Sequence, residues 1–379
     1  MKRIKRLFSL SLVTLMTATA LAGCAGNTPK TGDDKKIFTI GGSGPLTGDS
    51  ASYGISVKQG AEIAVAEINE AGGVNGMDFV YNILDDEGEA QPAISAYNKL
   101  MDEGVDVILG NVTSGSTIAI TELTKEDGIL QLTPSGSAKN ATKYDNAFRI
   151  CFTDPLQGVT MADFTVDALG FKNVAILYDV ASDYSKGMAE AYIEQLEVKG
   201  GVVVANESFT SGDVDFNTQL TNIKASGAEI LFIPAYYQDV ASILNQAAQQ
   251  ELNLPYIGGD GWDGVLGQLE DFSLAEGAIF LSPFIASDPA ENVQNFVSKY
   301  QEKFATIPDQ FAADAYDGIY VIKAAIEKAN STESADLIKA MTEIEVDGVT
   351  GNMTFTPEGE PNKDAKLIVI TNGEYQAYR

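Results

Sequence analysis

Two hydroxyl-rich loops and one glycine-flanked acid are the parts of this sequence best suited to chemistry. The loop Asn111–Thr117 follows the apolar run Val105–Gly110 and carries Thr113, Ser114, Ser116 and Thr117. The stretch Thr133–Ser137 follows the run Ile129–Thr133 and carries Ser135, Gly136 and Ser137. Short hydroxyl side chains at a helix start cap its first turn, and the free N–H groups with the helix dipole favour an anion. Two such loops at corresponding strand ends can hold one small anion between them. The third stretch, Gly258–Asp263, places Asp260 among glycines, with Trp262 two residues on and Tyr236-Tyr237 ending the preceding run. A carboxylate there is a natural partner for an ammonium group, and the aromatic residues offer an apolar wall. Together they suit a zwitterion with an apolar tail. Helix capping and turn formation would produce the same compositions without a ligand, so the loops alone leave the question open.

Composition narrows the alternatives. The chain has 379 residues and a formal net charge of -28, a balance that repels phosphate backbones and disfavours nucleic acid as a partner. Histidine is absent, which excludes Ser-His-Asp and Cys-His catalysis and any zinc site built on imidazole. Gly41–Pro45 is glycine-rich but lacks the G-x-G-x-x-G spacing and a P-loop lysine. It reads as a tight strand-to-helix turn. The acidic pair Asp85–Asp86 has no activated nucleophile beside it and reads as a solvated cap on a strand-end turn.

The elements that must position these loops alternate. Strands are expected at Phe38–Gly41, Phe79–Leu84, Val105–Gly110 and Ile129–Thr133, with helices over Val57–Ile68, around Ala93–Met101 and around Thr117–Asp127. The pattern restarts with strands at Val174–Tyr178, Val202–Val204 and Ile230–Ile233, separated by helices near Ser185–Glu197, Leu220–Ile223 and Val240–Ala247. Such alternation means parallel sheets with right-handed crossovers, and two series mean two α/β lobes. Later helices near Pro289–Phe304 and Phe311–Asn330 must return to one of them, and periodicity does not say which. In open parallel sheets ligands bind beyond the carboxyl ends of the strands, where the three loops lie.

The amino terminus has a different character. Lys2, Arg3, Lys5 and Arg6 precede the apolar run Leu7–Met16 and the ending Leu21-Ala22-Gly23-Cys24. A basic start, a short apolar middle and small residues before a cut describe an export signal over 1–23. The run is shorter than the ~20 residues that span a bilayer. The ending looks like a bacterial lipobox, with Cys24 acylated as first residue of the mature chain. Residues 24–36 then read as a flexible polar tether. The only other cysteine is Cys151, so an acylated Cys24 leaves no internal disulfide. A lipid-anchored body outside the cytoplasmic membrane is the expectation.

Beyond these physical readings, ordered motifs carry a resemblance. They include GPLTGDSASYG (44–54), GAEIAVAEINEAGGVNG (60–76), LDDEG (84–88), VILGNVTSG (107–115), GILQLTPSGSA (128–138), FR (148–149) and TDPLQG (153–158). VAILYD (174–179), GDVDF (212–216), YIGGDGW (256–262) and AYDGIY (315–320) continue it. The sequence resembles the substrate-binding lipoproteins of ABC importers for branched-chain amino acids, the leucine/isoleucine/valine branch of the type I periplasmic binding proteins. The resemblance implies two doubly wound parallel-sheet lobes joined by three crossovers and closing like a flytrap. It places 37–153 with 283–353 in the first lobe and 154–282 with 354–379 in the second. It implies that Ser114 binds the ligand carboxylate through its hydroxyl and N–H, and that Ser135 offers its carbonyl to the ammonium. Ser137 offers a hydroxyl where the family usually has Thr. Tyr53, Tyr184 and Tyr236 line the cleft, Gly136 lies within the binding loop, and Asp260 is the ammonium's counter-ion where some relatives have Glu. Trp262, where many relatives carry a smaller residue, is expected to reshape the side-chain pocket. The implied partners are an amino acid and an ABC permease, with the membrane reached through Cys24 and no cofactor, catalysis or nucleic acid. A sensing component of the same fold, or a binder of another amino acid or small amide, is the alternative.

Overall fold

The structure is a computed structural model that describes residues 36–378. The export signal, Cys24 and nearly all of the tether lie outside the described residues. The chain opens with β1 (Lys36–Gly44), α1 (Ala51–Glu70), β2 (Met77–Asp85), α2 (Ala90–Asp102), β3 (Val107–Leu109), α3 (Ser114–Asp127), β4 (Gln131–Thr133) and β5 (Ala147–Arg149). These strands form a parallel sheet in the order β2-β1-β3-β4-β5. Buried Val107, Ile108 and Leu109 on consecutive positions show why β3 reads as a continuous apolar run: helices cover both faces.

After β5 the chain crosses to a second series: α4 (Asp154–Asp163), β6 (Asn173–Asp179), α5 (Asp183–Val198), β7 (Val202–Phe209), α6 (Asn217–Ala225), β8 (Ile230–Ile233), α7 (Tyr237–Gln249), β9 (Tyr256–Gly258) and β10 (Ile279–Ser282). It returns through α8 (Glu291–Phe304), α9 (Gln310–Ala329), α10 (Ser334–Met341) and the hairpin β11 (Val346–Gly348) with β12 (Gly351–Met353). It ends with β13 (Lys366–Thr371) and β14 (Glu374–Ala377). The second sheet runs β14-β13-β10-β9-β8-β6-β7, parallel except for β13 and β14. The expected two-lobed α/β architecture with three crossings is what the strands form.

The returning helices belong with the first sheet. Ile63 of α1 packs with Phe296, Val297 and Tyr300 of α8 and Ala312 and Ala313 of α9. Gly60 lets α1 and α9 touch backbone to backbone, since a Cβ there would fall 1.9 Å from the Ala312 carbonyl oxygen. One limit differs from expectation. The third crossing comes after Lys363, not at 353/354, because Phe355 packs edge-on against Phe148 and Gly359 accepts the Arg149 N–H. Lys363 completes this attachment with a buried 3.0 Å ion pair to Asp314 of α9.

Candidate functional site

The loops flagged by composition converge between the lobes. A small cavity between them is lined from the first lobe by Tyr53, Val112, Thr113, Ser135, Ser137 and Phe311. Tyr184, Tyr236, Asp260 and Gly261 close it from the second.

The hydroxyl side of the cavity is built by helix and strand ends. Thr113 precedes α3 as its cap residue, yet its side chain makes no capping bond. The N–H groups of the first turn therefore remain for other acceptors. The Ser114 N–H faces the Tyr236 hydroxyl outside bonding geometry. The Ser114 hydroxyl accepts the Ala138 N–H at 3.1 Å and so ties α3 to the loop after β4. In that loop the Ser135 hydroxyl donates to the Val112 carbonyl at 2.7 Å. Gly136 stands behind the wall, its N–H donating to Thr133 Oγ1 at 2.8 Å and its carbonyl accepting from Arg149 Nη1 at 2.7 Å. A Cβ at Gly136 would lie 2.6 Å from Thr117 Oγ1, which explains the small residue. Beneath the loops, buried Asp86 accepts from Ser43 at 2.8 Å and Asn111 at 3.0 Å. Asp85 takes the Leu46 N–H at 2.8 Å and the Thr47 hydroxyl at 2.6 Å. The acidic pair does cap a turn, but Asp86 is enclosed rather than solvated because it also pins the loop after β3.

The opposing wall is aromatic and acidic. Tyr184 stacks on Tyr236 with ring centres 4.8 Å apart, and facing them on the first lobe Tyr53 stacks on Phe311 at 4.0 Å. Asp260 is buried; its Oδ1 accepts from Gln157 Nε2 at 3.0 Å, and its N–H donates to Gln157 Oε1 at 2.8 Å. Burial pushes the Asp260 carboxyl up to about 6, against the pull of hydrogen bonds from Gln157 and Tyr184. An opposite charge brought against it would stabilise the carboxylate. Burial likewise raises the Tyr53 and Tyr184 phenols well above their usual range, so both stay neutral donors.

Neutral bonds hold the lobes together around this cavity. The Tyr53 hydroxyl donates to the Gly261 carbonyl at 2.5 Å and accepts the Tyr237 N–H at 3.2 Å. Gln310 Nε2 donates to the Asp260 carbonyl at 2.6 Å.

Of the residues expected from the sequence, Tyr53, Ser135, Ser137, Tyr184, Tyr236 and Asp260 line the cavity, while Ser114 and Gly136 support it. Trp262 is placed elsewhere. It is wholly buried, and its indole N–H donates to the Ile233 carbonyl at 2.8 Å. Its bulk fills the space beside Gly258, where a Cβ would fall 1.9 Å from Nε1, so it shapes the core under the pocket and not the pocket wall. Trp262→Phe should therefore cost about 1–2 kcal/mol of stability through the lost hydrogen bond and leave ligand affinity unchanged. Chemical denaturation and calorimetry on the same variant check both halves. Val112, Thr113 and Gly261 also line the cavity from inside the flagged loops, and Phe311 is the lining residue that is neither expected nor inside them. It sits one residue inside α9, a helix whose lobe the periodicity left undecided.

A family model described as periplasmic binding protein matches residues 38–374. The Leu/Ile/Val-binding protein homolog 3 of Brucella melitensis is 32% identical over 85% of this chain and 88% of its own length. The leucine-, isoleucine-, valine-, threonine-, and alanine-binding protein of Pseudomonas aeruginosa is 30% identical, covering 92% of each chain. Among solved structures, the branched-chain amino acid transporter substrate binding protein of Streptococcus pneumoniae, in complex with isoleucine, superposes with a TM-score of 0.85. Its identity is 30%, covering 90% of this chain and 98% of that one. With the interlobe cavity and these matches along nearly the whole described body, the chain belongs to the periplasmic binding protein family.

Proposed function

We propose that this protein captures an amino acid of the leucine, isoleucine and valine type between its lobes and hands it to the permease of an ABC importer. It does so outside the cytoplasmic membrane, held there by a lipid on Cys24. The observation that carries the ligand class is the polarity of the cavity: a buried carboxylate on the second lobe faces hydroxyl and N–H groups on the first. A zwitterion's charges are costly to bury unless each meets opposite charge or hydrogen bonds. Both ends are met only when the lobes close. The ligand thus favours the closed state by its differential affinity, and that state is what a permease recognises. The stacked aromatic walls suit an apolar tail. Binding and release, without turnover, complete the cycle.

A thermal-shift screen of the twenty amino acids tests this reading. A ligand bound only by the folded state at 100 times its Kd adds about 2.7 kcal/mol of stability. Leucine, isoleucine and valine are expected to give the largest rises in melting temperature. A largest rise from a polar amino acid or a small amide would reassign the guest, and no rise with any amino acid would overturn the reading.

A further inference from the structure

A second cavity, roomier than the one between the binding loops, forms a groove against the second crossing. That crossing leaves β10 at Ser282 and contributes Phe284 and Ile285 to the wall. The first lobe adds Val297 and Gln301 of α8 and Asp309, the cap residue of α9. The second lobe adds Phe280 of β10, Ile368 of β13, Tyr375 of β14 and Asp263. Phe280, Phe284, Val297 and Ile368 are all buried, so the inner wall is apolar. The groove thus spans both lobes and a strand of chain that joins them.

Its charges are all of one sign. Asp263, Asp309 and Glu374 line it, and no Lys or Arg does. The start of α9 accounts for part of this acidity. Asp309 Oδ1 accepts the Ala312 N–H at 3.0 Å, and its Oδ2 accepts the Ser56 hydroxyl at 2.6 Å. Asp263 Oδ2 accepts the Gln310 N–H at 3.1 Å, a second hold on the same helix start. Asp263 Oδ1 has no such duty. The neighbouring Gly264 N–H faces this carboxyl outside bonding geometry and donates to the Tyr375 hydroxyl at 3.0 Å. Oδ1 is left open on a residue that is 6% exposed and lines the groove. Burial and the charge of Asp309 together hold the Asp263 carboxyl above its ordinary range, as expected of two acids that share a cavity without a cation.

A buried carboxylate with an open oxygen is costly to keep unless a charge or a donor meets it. The apolar wall dictates the rest of that partner. We propose that this groove is a second ligand site, taking a small organic cation with an apolar body, of the alkylammonium class. Its ammonium lies against Asp263 Oδ1 and Asp309, and its hydrocarbon covers Phe280, Phe284 and Ile368. This occupant is distinct from the guest of the binding loops, and the site stands whichever amino acid that guest is.

Calorimetric titration of the full chain with hexylammonium chloride tests this, with hexanol as the neutral comparison. Saturable binding of one hexylammonium per chain is expected, with hexanol weaker by about tenfold or more. Asp263→Asn should weaken hexylammonium by about tenfold or more, since it removes one partner of a desolvated charge pair. Gln301→Lys, at an exposed position of α8 that lines the groove, supplies a tethered cation and should weaken binding several-fold without touching the buried acids. Asp260→Asn should leave hexylammonium binding unchanged, because its carboxylate serves the other cavity. No saturable binding, or equal binding of hexanol, overturns the proposal. Binding that survives both Asp263→Asn and Gln301→Lys overturns it too and leaves only attraction to an acidic surface. Binding lost in Asp260→Asn but kept in Gln301→Lys puts the probe in the cleft and sinks the second site. If Asp263→Asn fails to fold, Gln301→Lys decides alone.

Discussion

Asp260→Asn is expected to weaken amino-acid binding by on the order of 2–5 kcal/mol, the cost of truncating one partner of a buried charge pair. The substitution keeps the shape of the side chain and its contact with Gln157 Nε2, now 3.0 Å from Oδ1, so the loss reports charge and not packing. Calorimetry on the folded variant measures it, and unchanged affinity would remove Asp260 from the site. The same residue dictates a pH dependence. Its carboxyl is raised from 3.8 to about 6, so in the window between these values the folded form holds more protons than the unfolded chain. Guest-free stability therefore falls as pH rises through that window, and above it the Asp260 charge is a fixed cost. Affinity for an ammonium runs the other way. It is full above the raised value and declines as acid protonates the carboxylate below about pH 6. The Asn variant should lose both trends.

Replacing Arg149 with Met should destabilise the protein by about 3–5 kcal/mol, the typical loss when one partner of a buried ionic network is removed. Arg149 is wholly buried. It donates to the Gly136 carbonyl at 2.7 Å, the Ala138 carbonyl at 3.1 Å and Thr142 Oγ1 at 3.0 Å, and its Nε lies 3.0 Å from Glu360 Oε2. These contacts span the loop that carries Ser135 and Ser137, so the damage extends to ligand affinity. Lysine retains the charge but not the planar fork, and Arg149→Lys should recover only part of the loss. Denaturant unfolding with and without ligand is the measurement. A loss under about 1 kcal/mol would mean that the loop holds itself.

Legibility followed the physics of each segment. The strand–helix alternation was readable because buried parallel strands such as β3 are apolar on every position, while helices such as α7 repeat Val240, Ile243, Leu244 and Ala247 on one face. The hydroxyl loops were readable from their composition at strand ends, although Ser135 and Ser114 tie loop to loop through the Val112 carbonyl and the Ala138 N–H and Thr113 makes no capping bond. The lobe assignment of α8 and α9 was not, since it rests on contacts such as Gly60 with Ala312 that join residues far apart in sequence. The end of the third crossing was hidden for the same reason: Phe355 against Phe148 leaves no local trace. Trp262 misled because an aromatic residue beside a binding acid and one filling a core look alike in sequence. Only its partner, the Ile233 carbonyl, tells them apart.

The fastening between the lobes has a consequence of its own. The Tyr53 hydroxyl addresses the carbonyl of Gly261 and the amide of Tyr237, backbone groups that exchanges at other lining positions leave in place. Exchanges that redraw the recess at positions other than Tyr53 and Gly261 can leave the clasp undisturbed. Selectivity and shutting are thereby separable, and one frame can be refitted for new cargo without being rebuilt.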